Sequence, residues 1–347
     1  MEDKGLVESY TYGGIAYSSS LKYKAMVQKK EPLGAMVVRK KFDYGLVQLA
    51  VDSGADFIDG KTVEDIKISK DKAKVILDDK TEIESEIVVG ADGIRSAVAK
   101  KMGLAPTKRE IGLCVFQEYE VDEEIIDKFF GKERMCHTHI KFQNIPGYGW
   151  VFPKKQHLNI GVVKLSSDTD MSKTKINLLN IYKDYFNVLK KTRVIPEKLK
   201  IGQCKGGTLP LAPLEKTYSD RVILVGDAAG VINPLSGEGI YYAMSSGEIA
   251  ANIISESLES EDTSEKFLSK YQKNWKKDFG RDIKLLLRAT KGLRKETDKF
   301  IRLVSKDEKL ADIAVSILHG SLSIHDYRWK LIRRYLYVSF KDLFSIK

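Results

Sequence analysis

The stretch RVILVGDAAGVINPLSGEGIYYAMSSGEIAANII, residues 221–254, decides how the rest of this chain is interpreted. It begins with the apolar run Val222–Val225, which is typical of a strand buried on both faces. A Gly-Asp pair ending at Asp227 closes the strand, and the glycines Gly237 and Gly239 precede a helical stretch. A strand that stops at small residues and then opens a helix lets backbone N–H groups approach a polar ligand. The stretch therefore predicts a ligand-binding turn, and a tight turn into a packed helix is the structural alternative.

The string GDAAG-x-x-NPLSGEGI-x-x-AM within this stretch resembles the geranylgeranyl reductase family, especially archaeal members that saturate isoprenoid lipids. It is also similar to the flavin-contacting motif of FAD-dependent oxidoreductases with the p-hydroxybenzoate hydroxylase type of fold. The resemblance implies that Asp227 contacts the ribityl and pyrophosphate region of FAD, and that the Asn233–Gly239 loop lies near the isoalloxazine ring. The FAD-binding residues predicted in this way are Arg39, Asp92, Gly93, Gly226, Asp227, Ala228, Pro234, Gly237, Gly239 and Ile240.

A second motif lies upstream in EIESEIVVGADGIRSAVAKKMGL, residues 82–104. Ile87–Val89 predict a buried strand, and the following Gly-Ala-Asp-Gly leads into a helix that begins near Ser96. The Asp92 side chain can cap that helix, as it would in a purely structural turn. The segment resembles the central G-A-D-G-x-x-S motif of the same fold. The order of the two motifs along the chain therefore favours this fold.

The first 60 residues predict short strands at Ile15–Ser19 and Ala35–Val38, followed by a helix that ends at Gly54. Phe42 is the first of the apolar residues that repeat at helical spacing in that segment. By the resemblance, Arg39 would reach the FAD from the start of this helix. An arginine on the surface of a helix start is the equally open alternative.

The string YGWVFPK, residues 148–154, followed by Asn-Ile-Gly at 159–161, resembles the Y-x-W-x-F-P-K…N-x-G signature of geranylgeranyl reductases. Tyr148, Trp150 and Phe152 alternate along a strand and would share one face of the sheet. Composition alone favours a core cluster, whereas the resemblance implies the wall of a channel for a polyisoprenyl chain. Lys154 is then a candidate for contact with a headgroup phosphate or with the cofactor, although a hairpin lysine is usually solvated.

Together the motifs predict an α/β (α+β) chain with the FAD-binding p-hydroxybenzoate hydroxylase-like fold. It has an incomplete Rossmann-type domain, an antiparallel substrate-domain sheet and a helical C-terminal region. We assign residues 1–105 and 205–258 to the FAD-binding domain, 106–204 to the substrate-binding sheet and 259–347 to the helical region.

The sequence lacks the strand–GxGxxG–helix unit that binds the ADP pyrophosphate in this fold. Archaeal relatives also carry a cysteine in that early region, and Cys114, Cys136 and Cys204 do not match it. Three explanations stay open: a truncated gene product, a separate chain that supplies the GxGxxG half, and a degenerate relative that binds no cofactor. An unpaired sheet edge is an aggregation hazard, which favours the first two.

Composition and charge exclude several other classes of protein. The 347 residues are 43% hydrophobic and contain no apolar run long enough to span a membrane, and no signal peptide begins the chain. The three cysteines predict neither a disulfide framework nor zinc binding, and His137 and His139 lack a third metal ligand, so no metal site is expected. We expect a cytoplasmic protein.

The net charge of +10 has two interpretations. It is either a general lysine bias that solvates the surface or an attraction to anionic lipid headgroups, and no motif indicates nucleic-acid binding. The last segment, DYRWKLIRRYLYVSFKDLF at 326–344, is basic, aromatic and amphipathic. It can lie peripherally on a membrane surface or pack back on the protein.

The resemblance implies an FAD-dependent reductase of the geranylgeranyl type, in which reduced FAD delivers a hydride to an isolated C=C bond of an isoprenoid lipid. Ferredoxin or NAD(P)H would be the electron donor. No catalytic side chain, and in particular no proton donor, is assignable from the sequence. The alternatives are an FAD-dependent aromatic monooxygenase and a non-catalytic isoprenoid- or flavin-binding remnant.

Overall fold

The computed structural model describes residues 4–107, 110–165, 177–293 and 296–344. The strands are β1 (Ser9–Thr11), β2 (Gly13–Tyr17), β3 (Lys24–Gln28), β4 (Gly34–Met36), β5 (Val63–Ile68), β6 (Ala73–Leu77), β7 (Glu82–Ser85), β8 (Val88–Gly90), β9 (Ile111–Glu120), β10 (Cys136–Ile140), β11 (Gly147–Pro153), β12 (His157–Lys164), β13 (Lys205–Pro210), β14 (Tyr218–Ser219) and β15 (Val222–Leu224). The α-helices are α1 (Arg39–Asp52), α2 (Ala97–Lys101), α3 (Glu123–Phe130), α4 (Leu178–Lys191), α5 (Gly226–Ala229), α6 (Ile240–Glu259), α7 (Glu265–Trp275), α8 (Arg281–Leu293), α9 (Thr297–Val304), α10 (Glu308–Leu318) and α11 (Ile324–Phe344).

The largest sheet has seven strands in the order β13-β9-β12-β11-β10-β2-β3. Every pair in it is antiparallel except β10 with β2. Strands β11 and β12 form a hairpin, with Pro153 opposite Leu158. One face packs on α4, whose apolar stripe Tyr182, Tyr185, Phe186 and Leu189 is buried against β9, β11 and β12.

This sheet recruits strands from outside the segment that the sequence assigns to it. Gly14 of β2 lies opposite Cys136 of β10, and Gly207 of β13 lies opposite Cys114 of β9. Residues 13–28 and 205–210, which we predicted in the FAD-binding domain, are therefore hydrogen-bonded to the substrate-side sheet. Such long-range pairing leaves no local periodicity in the sequence, so the pattern of apolar residues could not reveal it. The division into domains otherwise stays a prediction.

The strands of the first 40 residues also differ from the prediction. The expected strands Ile15–Ser19 and Ala35–Val38 correspond to β2 and β4 with shifted bounds, whereas β1 and β3 were not predicted. Strand β3 alternates exposed and buried residues, but it is only five residues long, and it begins with Lys24 and ends with Gln28. Short polar-ended strands of this kind gain their stability from the neighbouring strand rather than from their own propensity.

A smaller sheet, in the order β14-β15-β8, contains both glycine motifs. Val222, Ile223 and Leu224 are 0% exposed, which confirms the predicted buried strand. Its parallel partner β8 begins one residue later than predicted. Val89 is 43% exposed because it lies on the face opposite to Val88, which packs on the core. The third sheet, β5-β6-β7, is an antiparallel meander.

The C-terminal region is helical, as predicted. Helix α7 continues through a π-helical turn, Lys276–Gly280, into α8. Tyr271, Trp275, Phe279 and Ile283 follow one another every four residues in the sequence, and all four are buried. Helices α9, α10 and α11 pack over β3 and around the apolar side chains at its end of the sheet. Within the described part of the chain, no helix combines the length and apolar character needed to cross a bilayer.

Candidate functional site

The two glycine motifs meet at one edge of the small sheet. Gly90 of β8 pairs with Leu224 of β15, and the Val225 amide donates to the Gly90 carbonyl oxygen at 3.0 Å. Both strands therefore end side by side and point their following turns in the same direction. Ligands of open α/β sheets bind outside the carboxyl ends of the strands. Two segments more than 130 residues apart in sequence thus form one rim.

At this rim the turn after β15 is shaped by two glycines in the left-handed region. Gly226 has φ of +52°, and its amide donates to Ser246 Oγ of α6 at 3.0 Å. Gly230 has φ of +76°, and a Cβ at this position would lie 2.4 Å from the Ala212 carbonyl oxygen. Both positions therefore require glycine, which explains the two glycines of the GDAAG string on structural grounds.

Asp227 and Arg39 are brought close together, although the sequence assigns them to FAD from separate segments. Arg39 begins α1, and its Nε donates to Asp43 Oδ1 at 2.8 Å. The hydrogen bond with Asp43 raises the pKa of Arg39 above its ordinary value, and the charge of Asp227 adds to that shift. A Cβ on Gly239 would lie 3.3 Å from Asp227 Oδ1, so the glycine leaves space beside the carboxylate. The structure thus brings two of the residues predicted to bind FAD to one rim, and their contact with FAD stays a prediction.

Asp92 caps α2 as the sequence predicts. Its Oδ2 accepts hydrogen bonds from the Ala97 and Val98 amides at 2.6 and 3.2 Å, and Ser96 Oγ accepts from the Ala99 amide. Gly93 has φ of +77° with open space around its Cβ position, so backbone conformation rather than crowding selects glycine there. The cap gives Asp92 a structural role beside the rim, and its contact with FAD stays a prediction.

The loop after α5 is held by the side chain of Asn233, which is buried. Asn233 Oδ1 accepts from the Leu235 and Ser236 amides at 2.9 and 3.2 Å. The backbone N–H of Asn233 donates to the Glu238 carbonyl oxygen at 2.9 Å, and Gly237 adopts φ of +75°. Tyr148 Oη donates to the Ser236 carbonyl oxygen and so ties the loop to β11. The Asn-Pro start of the NPLSGEGI string thus closes a fixed turn between sheet and α6, with Pro234 buried inside it.

A cavity of about 370 Å³ lies between this loop, the seven-stranded sheet and the C-terminal helices. Its volume is within the range of about 300–1,000 Å³ that is common for ligand pockets. Most of its wall is apolar, with side chains from β2, β3 and α8 to α11. The polar or ionisable residues on the wall are Cys136, Thr138, Lys141, Tyr148, Ser236, Glu238, Thr290, Thr297 and His319.

The aromatic string supplies part of this wall. Tyr148, Trp150 and Phe152 share one face as predicted, with centroid separations of 5.8 and 6.0 Å between successive rings. Tyr148 and Phe152 line the cavity, whereas Trp150 does not. Trp150 is buried and lies across Gly161, where a Cβ would be 2.3 Å from its ring. The tryptophan therefore packs between the two residues that line the wall.

The Asn and Gly of the N-x-G string both contact this tryptophan. Trp150 Nε1 donates to Asn159 Oδ1 at 2.7 Å, and Asn159 Nδ2 donates to Glu118 Oε2 at 2.9 Å. Lys154 completes the chain with an ion pair to Glu118 Oε1 at 2.5 Å. Lys154 is buried and is not part of the cavity wall. The lysine that the sequence treats as a solvated or phosphate-binding residue is thus engaged inside the protein.

Glu238 is the residue of this site that the sequence analysis missed. Its side chain lines the cavity, and burial raises the pKa of its carboxyl group to about 7. More than a third of the residue's surface is accessible, and the residue lines the cavity, so the protein atoms packed around the carboxyl group, rather than complete burial of the residue, account for this shift. The signal was present in the sequence, because an ionisable residue stands between two glycines of a ligand-binding loop.

His137 and His139 form hydrogen bonds with tyrosines. Tyr17 Oη lies 3.1 Å from His137 Nδ1, and Tyr185 Oη lies 2.9 Å from His139 Nδ1. Burial lowers the pKa of these histidines to about 4 and about 3. In the ranges that the structure describes, no three potential metal ligands cluster. The two histidines on β10 are therefore neutral and packed among aromatic rings.

The fold is shared with solved flavoproteins. A geranylgeranyl bacteriochlorophyll reductase-like protein from Thermoplasma acidophilum matches with a TM-score of 0.76 at 22% identity, over 94% of this chain and 84% of that one. A flavin-dependent brominase matches with a TM-score of 0.66 at 19% identity, over 92% and 80% of the two chains. At these identities both likenesses show the fold, and they confirm the predicted FAD-binding α/β architecture.

Sequence comparison is more specific. Residues 8–278 match the family model described as an FAD binding domain, which confirms FAD as the cofactor. The digeranylgeranylglycerophospholipid reductase of Methanocaldococcus jannaschii is 33% identical over 300 residues, which is 84% of this chain and 73% of that protein. Digeranylgeranylglycerophospholipid reductase 2 of Methanopyrus kandleri is 28% identical over 86% of this chain and 78% of its own length. The chain belongs to the FAD-dependent digeranylgeranylglycerophospholipid reductase family, within the geranylgeranyl reductases that its motifs resemble.

Proposed function

We propose that this protein saturates C=C bonds in the isoprenoid chains of a membrane lipid or of its precursor. The observation that carries the proposal is the apolar cavity that adjoins the Asn233–Gly239 loop. A polyisoprenyl chain has no polar group to satisfy, so an apolar wall of this kind suits it. The relatives named for reduction of a digeranylgeranyl lipid support the same substrate class.

The rim residues would hold the cofactor. Asp227 would accept hydrogen bonds from hydroxyls of the ribityl chain, and Arg39 would balance its charge. The FAD-binding role of the remaining rim and loop residues rests on the same fold resemblance and on the space that Gly239 leaves beside Asp227. Reduced FAD supplies the hydride for the reaction.

The aromatic residues would position the substrate. Tyr148 and Phe152 would contact the isoprenoid chain, because both line the cavity. Trp150 would fix the orientation of Phe152, on which it stacks. Lys154 would hold Trp150 indirectly through Glu118 and Asn159, which is a positioning role rather than contact with a phosphate.

Reconstitution with FAD tests the proposed reaction. The chain is incubated with FAD, dithionite and a digeranylgeranyl phospholipid, and mass spectrometry counts the hydrogen pairs added. Dithionite reduces FAD directly, so the experiment does not depend on whether ferredoxin or NAD(P)H is the natural electron donor. That donor stays a prediction, as does a partner chain that supplies a GxGxxG segment. We expect saturation by the original chain and a loss of FAD affinity in Asp227→Ala. Oxygen consumption with NADPH that an aromatic acid stimulates would instead support a monooxygenase, and failure to bind FAD would support the remnant.

We further propose that the outer face of α11 rests on an anionic membrane surface. Trp329, Ile332, Leu336, Phe340 and Leu343 follow one another at three- or four-residue spacing and are 42–78% exposed. The opposite side of the helix lines the cavity through Leu331.

Charge supports a lipid surface as the occupant of this face. Lys330 and Arg333 are exposed beside the apolar stripe, and the whole chain carries a net charge of +10. Basic residues beside an amphipathic helix are attracted to anionic headgroups. Co-flotation with vesicles of anionic lipid tests the contact. Dimerisation in sedimentation experiments, without flotation, would identify a second copy of the chain as the occupant instead.

A further inference from the structure

The reaction needs a proton as well as a hydride, and the cavity contains one carboxyl group placed to supply it among the residues that line the wall. Glu238 extends from the loop that Asn233 fixes, and the loop is tied to the sheet through Tyr148. The Glu238 carboxyl is therefore presented from a rigid support. It faces an apolar space on the same side as the aromatic wall.

The surroundings of Glu238 favour its neutral form. The groups that sense its charge are Cys136 on β10, Tyr148 on β11 and Tyr242 on α6, and the pKa of each is raised. Lys141 and His319 line the same cavity, and burial lowers the pKa of His319. The Ser236 hydroxyl is the group that favours ionisation of Glu238, but burial has the larger effect and sets its pKa at about 7.

We propose that Glu238 is the catalytic acid, and that its carboxyl proton passes to the substrate carbon that does not receive the hydride. This inference rests on the proposed function and adds to it the residue that completes the reaction. One C–H bond forms from the hydride and a second from the Glu238 O–H bond, which breaks and leaves a carboxylate. Water then returns a proton to that carboxylate. The two electrons of the reduction come with the hydride from reduced FAD, so atoms and electrons balance.

The predicted pH dependence follows from the neutral form being active. The rate at which reduced FAD reduces the C=C bond should be level below about pH 7 and should decline above it, because the acid is then ionised. In Glu238→Gln the rate should fall about a hundredfold, in keeping with the usual contribution of a general acid, and the decline above pH 7 should vanish. The Kd for a saturated lipid product should stay within about twofold, since the amide retains the size of the carboxyl group.

Two readouts do not require the loaded enzyme. In the apo protein, an infrared band of a protonated carboxyl should be present at pH 6, weaken through pH 7 and be absent from Glu238→Gln. Because the folded-state pKa lies above the ordinary 4.5, the folded chain binds the extra proton between pH 4.5 and 7. The contribution of this group to the free energy of unfolding therefore falls as the pH rises through that window. In Glu238→Gln this pH-dependent decrease in the free energy of unfolding should be absent.

Glu248→Gln is the matched control, because Glu248 lies on α6, ten residues further along the chain, and is not part of the cavity wall. It should change neither the rate nor the pH profile. A Glu238→Gln enzyme that keeps the decline above pH 7 would overturn the inference, as would an infrared titration of Glu238 near pH 4.5. If the original chain saturates no isoprenoid bond at all, the proposed function itself fails, which is a different outcome from an active chain whose activity ignores Glu238.

Discussion

The α7–α8 segment and helix α11 have similar patterns of apolar and basic residues, but the apolar residues are buried in the first and exposed in the second. Each carries aromatic and aliphatic residues at three- or four-residue spacing and each is rich in lysine or arginine. Along α7 and the following π-helical turn, Tyr271, Trp275 and Phe279 are at most 5% exposed. On α11, Trp329 is 63% exposed and Phe340 is also 63% exposed.

The difference shows that an apolar stripe identifies the functional face of a helix without identifying what covers it. The α7 stripe packs on β15 and α6, where Tyr271 Oη donates to the Leu224 carbonyl oxygen at 2.8 Å. Helix α11 uses its other side for packing, with Val338 buried against β3 and α9. Its stripe is therefore left for contacts outside the chain.

The largest expected effect compares two tryptophans. Trp275→Ala should lower the free energy of unfolding by about 3–5 kcal/mol, because it leaves a cavity against Phe279 and removes the hydrogen bond to Thr217 Oγ1. Trp329→Ala should change it by less than about 0.5 kcal/mol, since the indole is mostly exposed. Urea titration of both variants measures the difference. Equal losses would show that the α11 stripe is covered within the protein.

A smaller effect is expected for membrane binding. The double variant Leu336→Ser and Phe340→Ser should weaken binding to anionic vesicles by about tenfold or more, because the interface buries only part of each side chain and so yields only part of the roughly 1.5–3 kcal/mol that full burial contributes. Its stability should be almost unchanged. Val338→Ala, on the inner side of the same helix, should show the reverse pattern of lower stability and unaltered vesicle affinity. Unchanged flotation of the double variant would refute the proposed membrane contact.

The smallest effect concerns charge beside the stripe. Arg333→Gln should lower affinity for anionic vesicles about fivefold, because one basic residue near such a surface contributes about 1 kcal/mol. The loss should shrink as salt is added and should be absent with neutral vesicles. The same loss on neutral vesicles would instead point to an effect of Arg333 on the shape of α11.

Much of the fold could be predicted from local pattern. The Val222–Leu224 strand, the helix beginning at Ile240 and the β11–β12 hairpin all follow from periodicity and turn residues. The site was predictable where a motif has a steric reason, as at Gly226 and at the Asp92 cap. The placement of β2 and β3 was not, because pairing across more than 100 residues depends on which edges remain open after the rest has folded.

The sequence by itself determined the family through its motifs, the strands and helices that carry those motifs, and the aromatic string that faces one side of the sheet. The strands, the helices and the aromatic string follow from local geometry, since steric and hydrogen-bonding demands act over a few residues. Only the tertiary structure decided that Lys154 is buried beside Glu118, that Glu238 faces an apolar cavity and that the α11 stripe is exposed. The reason is physical: the protonation of a carboxyl and the burial of a stripe depend on solvent exclusion by distant segments, which no short stretch of sequence contains.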